Sequence, residues 1–341
     1  MVYAEVELPP KVGPIRRVPS IGLCRKKDDV PSQKVQDPKT SFDSIYNEPT
    51  PHAYFAEMRR LGYQIGEQAR PYCLAAARVL EKRLPQWPVQ VLDVGCSYGV
   101  GAAFVKHGCT FEELVSFYAS RAPKDYAACA AAMRAWLNVV PPLLDARVTG
   151  LDASEAATRF AEDAGLLERG LARNYEDTLP SAEDRELLRS CNMLMCTGAV
   201  GYVTERTFSR IVPELGRYSP GGQGALAVIT VLRMYDPAPI RDCFVTLGYD
   251  FERVEGVRLP QRAFADDRER REVLDTLEQR NLDTEGWESH GVLYADLYIA
   301  ASPMLMESLR DAMDVAHRNA KDSLFAAQIQ VASARKQDQD D

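Results

Sequence analysis

Residues 88–101 read Pro88-Val89-Gln90-Val91-Leu92-Asp93-Val94-Gly95-Cys96-Ser97-Tyr98-Gly99-Val100-Gly101. A short β-branched run ending in glycine has the character of a buried parallel strand that delivers its carboxyl end to a turn. The glycines beyond it let a ligand come close to backbone amides where a helix begins. Similar apolar runs recur at 146–151, 193–196 and 224–232, with helical stretches at 154–168 and 204–215 between them. Strands alternating with helices make βαβ units, so the expected fold is α/β, a parallel sheet covered on both faces. A helix at 239–247, a strand at 251–257, a charged helix at 266–280 and a last run at 291–300 follow. That last run alternates apolar and polar residues, which suits a partly covered place near a sheet edge.

Outside this core the pattern changes. Residues 1–41 mix Pro, Lys, Asp, Gln and Ser without a sustained apolar period and read as a flexible arm. A helical leader is expected over 42–87: Tyr54, Met58, Leu61 and Ile65 recur three or four apart, and Pro71 opens an Ala-rich helix. Beyond Pro303, apolar or small residues at 305, 316 and 327 and at 309, 320 and 331 repeat every eleven residues, the period of a nearly straight stripe on one long helix. That helix of roughly 31 residues, about 45 Å, would either pack along its own domain or pair in a homodimer. The expected division is therefore arm 1–41, leader 42–87, core 88–302, and C-terminal helix with polar tail 303–341.

The chain has 341 residues, with 46% hydrophobic and 26% charged, as expected of a folded globular protein. Its net charge of −8 lacks the broad basic field of a duplex-binding domain, so no nucleic-acid partner is expected. No stretch approaches the ~18 apolar residues of a bilayer span, and prolines at 9, 10 and 14 interrupt what a secretory signal would need, so the expectation is a cytoplasmic protein with no membrane partner. Eight cysteines without a CxxC pair are expected to be reduced, and four histidines without an HExxH or Cys/His cluster offer no metal site.

The glycine loop is informative in detail. A nicotinamide fingerprint beginning at Gly95 needs glycines at 97 and 100, where Ser97 and Val100 stand. No Gly-Lys-Ser/Thr follows, so it is no P-loop either. What it contains is Asp93-x-Gly95-x-Ser97-x-Gly99, and in this the chain resembles the class I S-adenosylmethionine (SAM)-dependent methyltransferases, whose first motif is acid-x-Gly-x-Gly-x-Gly. Ser97 departs from that motif, but a small hydroxyl residue can also donate to a cofactor.

The resemblance implies a Rossmann-like seven-stranded sheet with helices on both faces, and SAM as cofactor. It places Asp93, Gly95, Cys96, Ser97 and Gly99 at the cofactor. It further implies that Asp152, with Ala153 and Ser154, accepts the ribose hydroxyls, a task for which a carboxylate has two acceptor oxygens. Asn174, or Glu176 close behind it, with Tyr175 between, would meet the adenine, while Thr197 and Gly198 would line cofactor and acceptor. Taken singly, the loop is also an ordinary strand-to-helix turn and Asp152 an ordinary helix cap. In order, each at the carboxyl end of a strand, they mark the edge where open α/β sheets bind ligands.

Fifty-eight residues separate Asp93 from Asp152, more than a crossover helix needs. The surplus, about 108–143, holds two apolar helices expected to form a cap over the acceptor pocket together with the leader. Tyr54, Tyr63 and Tyr98 are the aromatic candidates for that pocket, with core packing as the other account of the leader aromatics. The acceptor is expected to be a small molecule methylated on a hydroxyl, carboxylate or amine; Tyr202, His107 and His290 are the titratable groups eligible as a base. The alternative is a non-catalytic or protein-directed subunit acting through a partner protein.

Overall fold

The computed structural model describes the backbone of residues 43–85, 87–139, 141–219 and 224–340, and the side chains of all these except 43–44 and 322–340. The arm expected at 1–41 lies outside the described residues. The leader forms α1 (Asp43–Tyr46), α2 (His52–Arg60) and α3 (Ile65–Arg83). Tyr54, Met58, Leu61 and Ile65 are all buried, but Gly62 at φ +60° splits their stripe between two helices. Pro71 lies inside α3 rather than at its start. It cannot bond the carbonyl one turn earlier, and the helix around it is held by burial of Ile65, Ala69, Tyr72 and Cys73.

The chain continues through β1 (Val89–Val94), α4 (Val100–Val105), α5 (Phe111–Ser120), α6 (Tyr126–Leu137), β2 (Ala146–Asp152), α7 (Glu155–Asp163) and β3 (Arg169–Ala172). Helix α7 stops five residues short of the expected 168 because Gly165, at φ +78°, turns the chain into β3. Then come α8 (Ala182–Ser190), β4 (Met193–Cys196), α9 (Glu205–Ile211), β5 (Leu226–Leu232), α10 (Ala238–Val245), β6 (Asp250–Ala263), α11 (Asp267–Gln279), β7 (Val292–Ala301) and α12 (Pro303–Asp340). Strong local capping fixes several starts: Thr110 with Glu113, and Ser181 with Asp184, form reciprocal capping boxes at α5 and α8.

The sheet order is β3-β2-β1-β4-β5-β7-β6. The sheet is mixed rather than wholly parallel, since β7 runs antiparallel to both β5 and β6. The chain leaves β6 at Ala263 and re-enters as Val292 directly opposite, and strands entered from the same end must run in opposite directions. Along β1, Val89 and Val91 pack toward α3, α4 and α7, whereas Leu92 and Val94 pack toward α8, α9 and α10. Both faces are covered, and the strand order reverses on either side of β1, where such sheets open a crevice.

Helix α12 has 38 residues, about 57 Å. Its described part packs on α3, β6 and β7, with Leu305, Leu309 and Met313 fully buried. Among the described residues no helix is long and apolar enough to cross a membrane.

Candidate functional site

A cavity of about 280 Å³ opens at the carboxyl ends of β1, β2 and β4, near the low end of small-molecule sites (roughly 300–1,000 Å³). Of the residues expected at a cofactor, Asp93, Gly95, Cys96, Ser97, Asp152, Ala153, Ser154, Asn174, Tyr175, Glu176, Thr197 and Gly198 line it, and Gly99 does not. Gly99 is the N-cap of α4, where it turns the loop at φ +77°.

The loop after β1 is built by exclusion of side chains. A Cβ on Gly95 would collide with that of Ala199, and one on Gly101 would sit 2.5 Å from Asp93 Oδ2. Ser97 takes φ +47°, a left-handed backbone that costs an L-residue about 1 kcal/mol. Its amide donates to Asp152 Oδ2 at 2.9 Å, and the Ser154 amide donates to Asp152 Oδ1 at 2.9 Å. The second carboxylate thereby ties the loop after β1 to the turn after β2.

The two acids differ in exposure, Asp93 being buried and Asp152 half-buried. Asp93 is 2% exposed, and burial, reinforced by the Asp152 charge, pushes its carboxyl up to about 7. Burial also raises Asp152, against the pull of the backbone amides of Ser154, Ser97 and Ala153. Asp93 Oδ2 and Ser97 Oγ are buried without a hydrogen-bond partner among the described residues. A polar atom in that position costs free energy until something meets it.

Glu176 and Asn174 line the cavity with their polar groups already engaged. Glu176 accepts from the Thr204 amide at 2.8 Å and from the hydroxyls of Thr204 and Thr207 at 2.6 Å each, anchoring the start of α9. Burial opposes its charge, but these donors outweigh it and hold the carboxyl below its usual range. The Asn174 carboxamide accepts from the Glu176 amide at 3.0 Å and donates to Asp177 at 2.7 Å.

The leader supplies the opposite wall, with Tyr46, Asn47, Tyr54, Met58 and Tyr63 lining the cavity. Tyr98 does not line it. Its hydroxyl reaches instead to the carbonyls of Ile45, at 3.0 Å, and Glu48, at 2.7 Å. Ser154 Oγ donates to the Tyr46 carbonyl at 2.6 Å. The leader is thus fastened down by side chains of the very turns it covers.

No described residue of 108–143 lines the cavity, so the insertion does not act as the expected cap. Its aromatics brace the leader from behind: the rings of Phe55 and Tyr118 stack at 4.6 Å, and Tyr63 meets Phe111 at 5.4 Å. Both inserted helices bury apolar faces, and the leader helix α2 is the partner that α5 finds.

Of the candidate bases, Tyr202 lines the cavity and is 38% exposed. His107 lies in the turn after α4, where burial and then Lys106 pull it down to about 4, and His290 is exposed in the turn before β7. Neither histidine lines the cavity, so neither reaches a reactant held there. The cavity also takes in residues that the sequence reading does not single out, among them Asn47, Val203, Thr207, Gln261 and Arg262. The clue for the last two is the polar pair after Pro260, beyond the expected end of the strand at 257.

No family model and no curated protein matches the chain. Among solved structures it is similar to the magnesium protoporphyrin IX methyltransferase ChlM from Synechocystis PCC 6803, with 11% identity, 70% of this chain and 80% of that one covered, and a TM-score of 0.34. It is similar to a TehB-like SAM-dependent methyltransferase from Corynebacterium glutamicum ATCC 13032, with 14% identity, 66% and 86% covered, and a TM-score of 0.31. It is also similar to the plantazolicin methyltransferase BpumL, with 10% identity, 76% and 98% covered, and a TM-score of 0.34. Likeness at this level carries no argument about activity or ligands. By its own strand order and its reversed β7, the chain has the Rossmann-like seven-stranded α/β fold that its resemblance to class I methyltransferases implies.

Proposed function

We propose that the chain is a SAM-dependent methyltransferase that modifies an oxygen or nitrogen of a small molecule. One observation carries the reading: two carboxylates, Asp93 buried and Asp152 half-buried, lie at the ends of adjacent strands beside a left-handed loop, and Asp93 Oδ2 and Ser97 Oγ have no hydrogen-bond partner among the described residues. Two raised acids side by side are relieved by a cationic ligand, and SAM carries both a sulfonium and an ammonium group. The loop is compatible with it, because Gly95 and Gly101 line the cavity and neither can carry a side chain without striking Ala199 or Asp93.

When bound, SAM supplies an electrophilic methyl on sulfur for in-line displacement. The chain's residues hold and orient. Asp152 keeps lone pairs for a vicinal diol beyond those used by Ser97 and Ser154. Tyr46, Tyr54, Met58 and Tyr63 exclude water from above. Tyr202, half in solvent, can pass the proton of a hydroxyl or amine acceptor outward. The working division is leader wall 42–87, core 88–302 and C-terminal helix 303–341, in a cytoplasmic enzyme whose seven described cysteines are free thiols.

Thermal unfolding with SAM, S-adenosylhomocysteine (SAH) or NAD tests this. A ligand at ~100 times its Kd adds about 2.7 kcal/mol, several degrees for a chain of this size. Stabilisation by SAM and SAH but not NAD is expected. Stabilisation by NAD alone would overturn the reading, and no shift with any of the three would favour a subunit that holds a partner protein.

A further inference from the structure

The end of β6 breaks its pairing with β7: Pro260 faces Tyr294 and Arg262 faces Leu293, leaving Gln261 as the extra residue of a β-bulge. Bulges re-aim side chains beside binding sites. Gln261 is 3% exposed and lines the cavity, and its Oε1 has no hydrogen-bond partner among the described residues. Its backbone is fixed on both sides, since the Gln64 amide donates to its carbonyl at 2.8 Å and the Ala263 amide donates to the Leu61 carbonyl at 2.7 Å. The carboxamide itself lies against the turn after β4, with Nε2 3.7 Å from the position a Cβ would take on Gly198. A buried carboxamide oxygen without a partner among the described residues, placed by a bulge in a residue that lines a cavity, is costly unless a ligand meets it.

The surroundings limit what that ligand can be. Both guanidinium groups at the cavity are matched by carboxylates within the protein: Arg262 with Glu269 at 2.7 Å, each nearly fully buried, and Arg173 with Asp184 at 3.2 Å. Asp93 and Asp152 add negative charge to the same space. An anionic acceptor would therefore be repelled more than held. The leader side is aromatic and soft, formed by Tyr54, Tyr63 and Met58, which favours an apolar ring.

We propose that Gln261 is the positioning residue for the methyl acceptor, and that the acceptor is a neutral aromatic molecule whose O–H or N–H donates to Gln261 Oε1. The proposal rests on the methyltransferase reading. It narrows that reading from hydroxyl, carboxylate or amine to a hydroxyl or amine. A hydrogen bond to Oε1 turns a lone pair of the acceptor atom away from Gln261; the carboxamide is no base, so the proton leaves by way of Tyr202 to solvent as the methyl is transferred.

The test is calorimetric binding to the SAH-loaded full chain, with 2-naphthol, 2-methoxynaphthalene and 2-naphthoate as probes. In the unmodified protein 2-naphthol should bind at least about tenfold more tightly than the methyl ether, a net hydrogen bond's worth, and more tightly than the carboxylate. Gln261→Met keeps the volume and removes the acceptor oxygen, so the preference over the ether should fall below about threefold while SAH affinity stays unchanged. Gln261→Glu retains an acceptor oxygen and should keep the preference, which a merely structural role would not require. No binding of 2-naphthol, equal binding of alcohol and ether, tighter binding of 2-naphthoate, or a preference that survives Gln261→Met would each overturn the proposal. Absence of SAH binding to the unmodified protein would instead remove the methyltransferase reading on which it stands.

Discussion

The two walls of the cavity are made in opposite ways. The strand-end wall comes from two short runs of consecutive residues, Asp93 to Ser97 and Asp152 to Ser154, and its polarity is that of backbone amides bonded to Asp152 beside the buried Asp93. The leader wall is assembled from residues far apart in the chain, Tyr46 to Tyr63 with Gln261 and Arg262, and its surface is rings and neutralised charge. The first is rigid because strands and a helix start define its backbone. The second is held by side-chain hydroxyls of Tyr98 and Ser154 and by backbone pairing with the end of β6. A wall of amides and acids recognises a charged ligand common to many reactions, whereas a wall of rings is the part free to select an acceptor.

The largest expected effect falls on the strand-end wall alone. Asp152→Ala removes the acceptor shared by the Ser97 and Ser154 amides. SAM affinity should drop at least about 100-fold, about 3 kcal/mol, with an unchanged far-ultraviolet circular dichroism spectrum. Unchanged affinity by calorimetry would take this carboxylate out of the site.

Asp93→Asn separates charge from shape. Because burial raises Asp93 to about 7, the folded state holds this proton more tightly than the unfolded chain, whose carboxyl titrates near ~3.9. The acid's stabilising contribution is therefore complete below about pH 4 and is lost as pH rises through about 7. The Asn variant lacks this titration, so its stability advantage over the parent should grow between pH 4 and 7 and level off above, at on the order of 4 kcal/mol. Denaturant unfolding at pH 4, 6 and 8 measures it; parallel pH profiles for the two proteins would show that Asp93 titrates normally.

Tyr98→Phe tests the fastening between the walls. It keeps the ring and removes the hydroxyl that reaches Ile45 and Glu48, costing about 1 kcal/mol. Hydrogen exchange should accelerate at 45–50 and leave β1 protected. Uniform acceleration across both would mean that the hydroxyl supports the whole core.

Ser97→Gly should have the smallest effect. Relief of the left-handed backbone gains up to about 1 kcal/mol, while loss of the unpartnered hydroxyl lowers SAM affinity by a few fold. A raised melting temperature with unchanged SAM affinity would show that the hydroxyl does not meet the cofactor.

How far each wall could be read in advance follows from its construction. Asp93, Gly95, Ser97 and Asp152 sit in short segments where strand, turn and helix start follow one another, so residue order alone places them at one edge. Gln261 depends on a bulge that shows only when β6 is paired with β7, and it lies beyond the strand expected at 251–257. The insertion misled for a related reason. Amphipathic helices at 111–120 and 126–137 state that they need a partner, and only packing reveals that α5 meets the back of the leader instead of roofing the cavity.

By itself, then, the sequence determined the α/β alternation, the glycine loop and the acids at the strand ends, because strand periodicity and turn chemistry are local and need only neighbouring residues. The tertiary structure alone decided the reversal of β7, the engagement of Glu176 by Thr204 and Thr207, and the presence of Gln261 and the leader aromatics around one cavity. Those depend on which distant faces share a buried surface, and burial is a property of the whole packed chain.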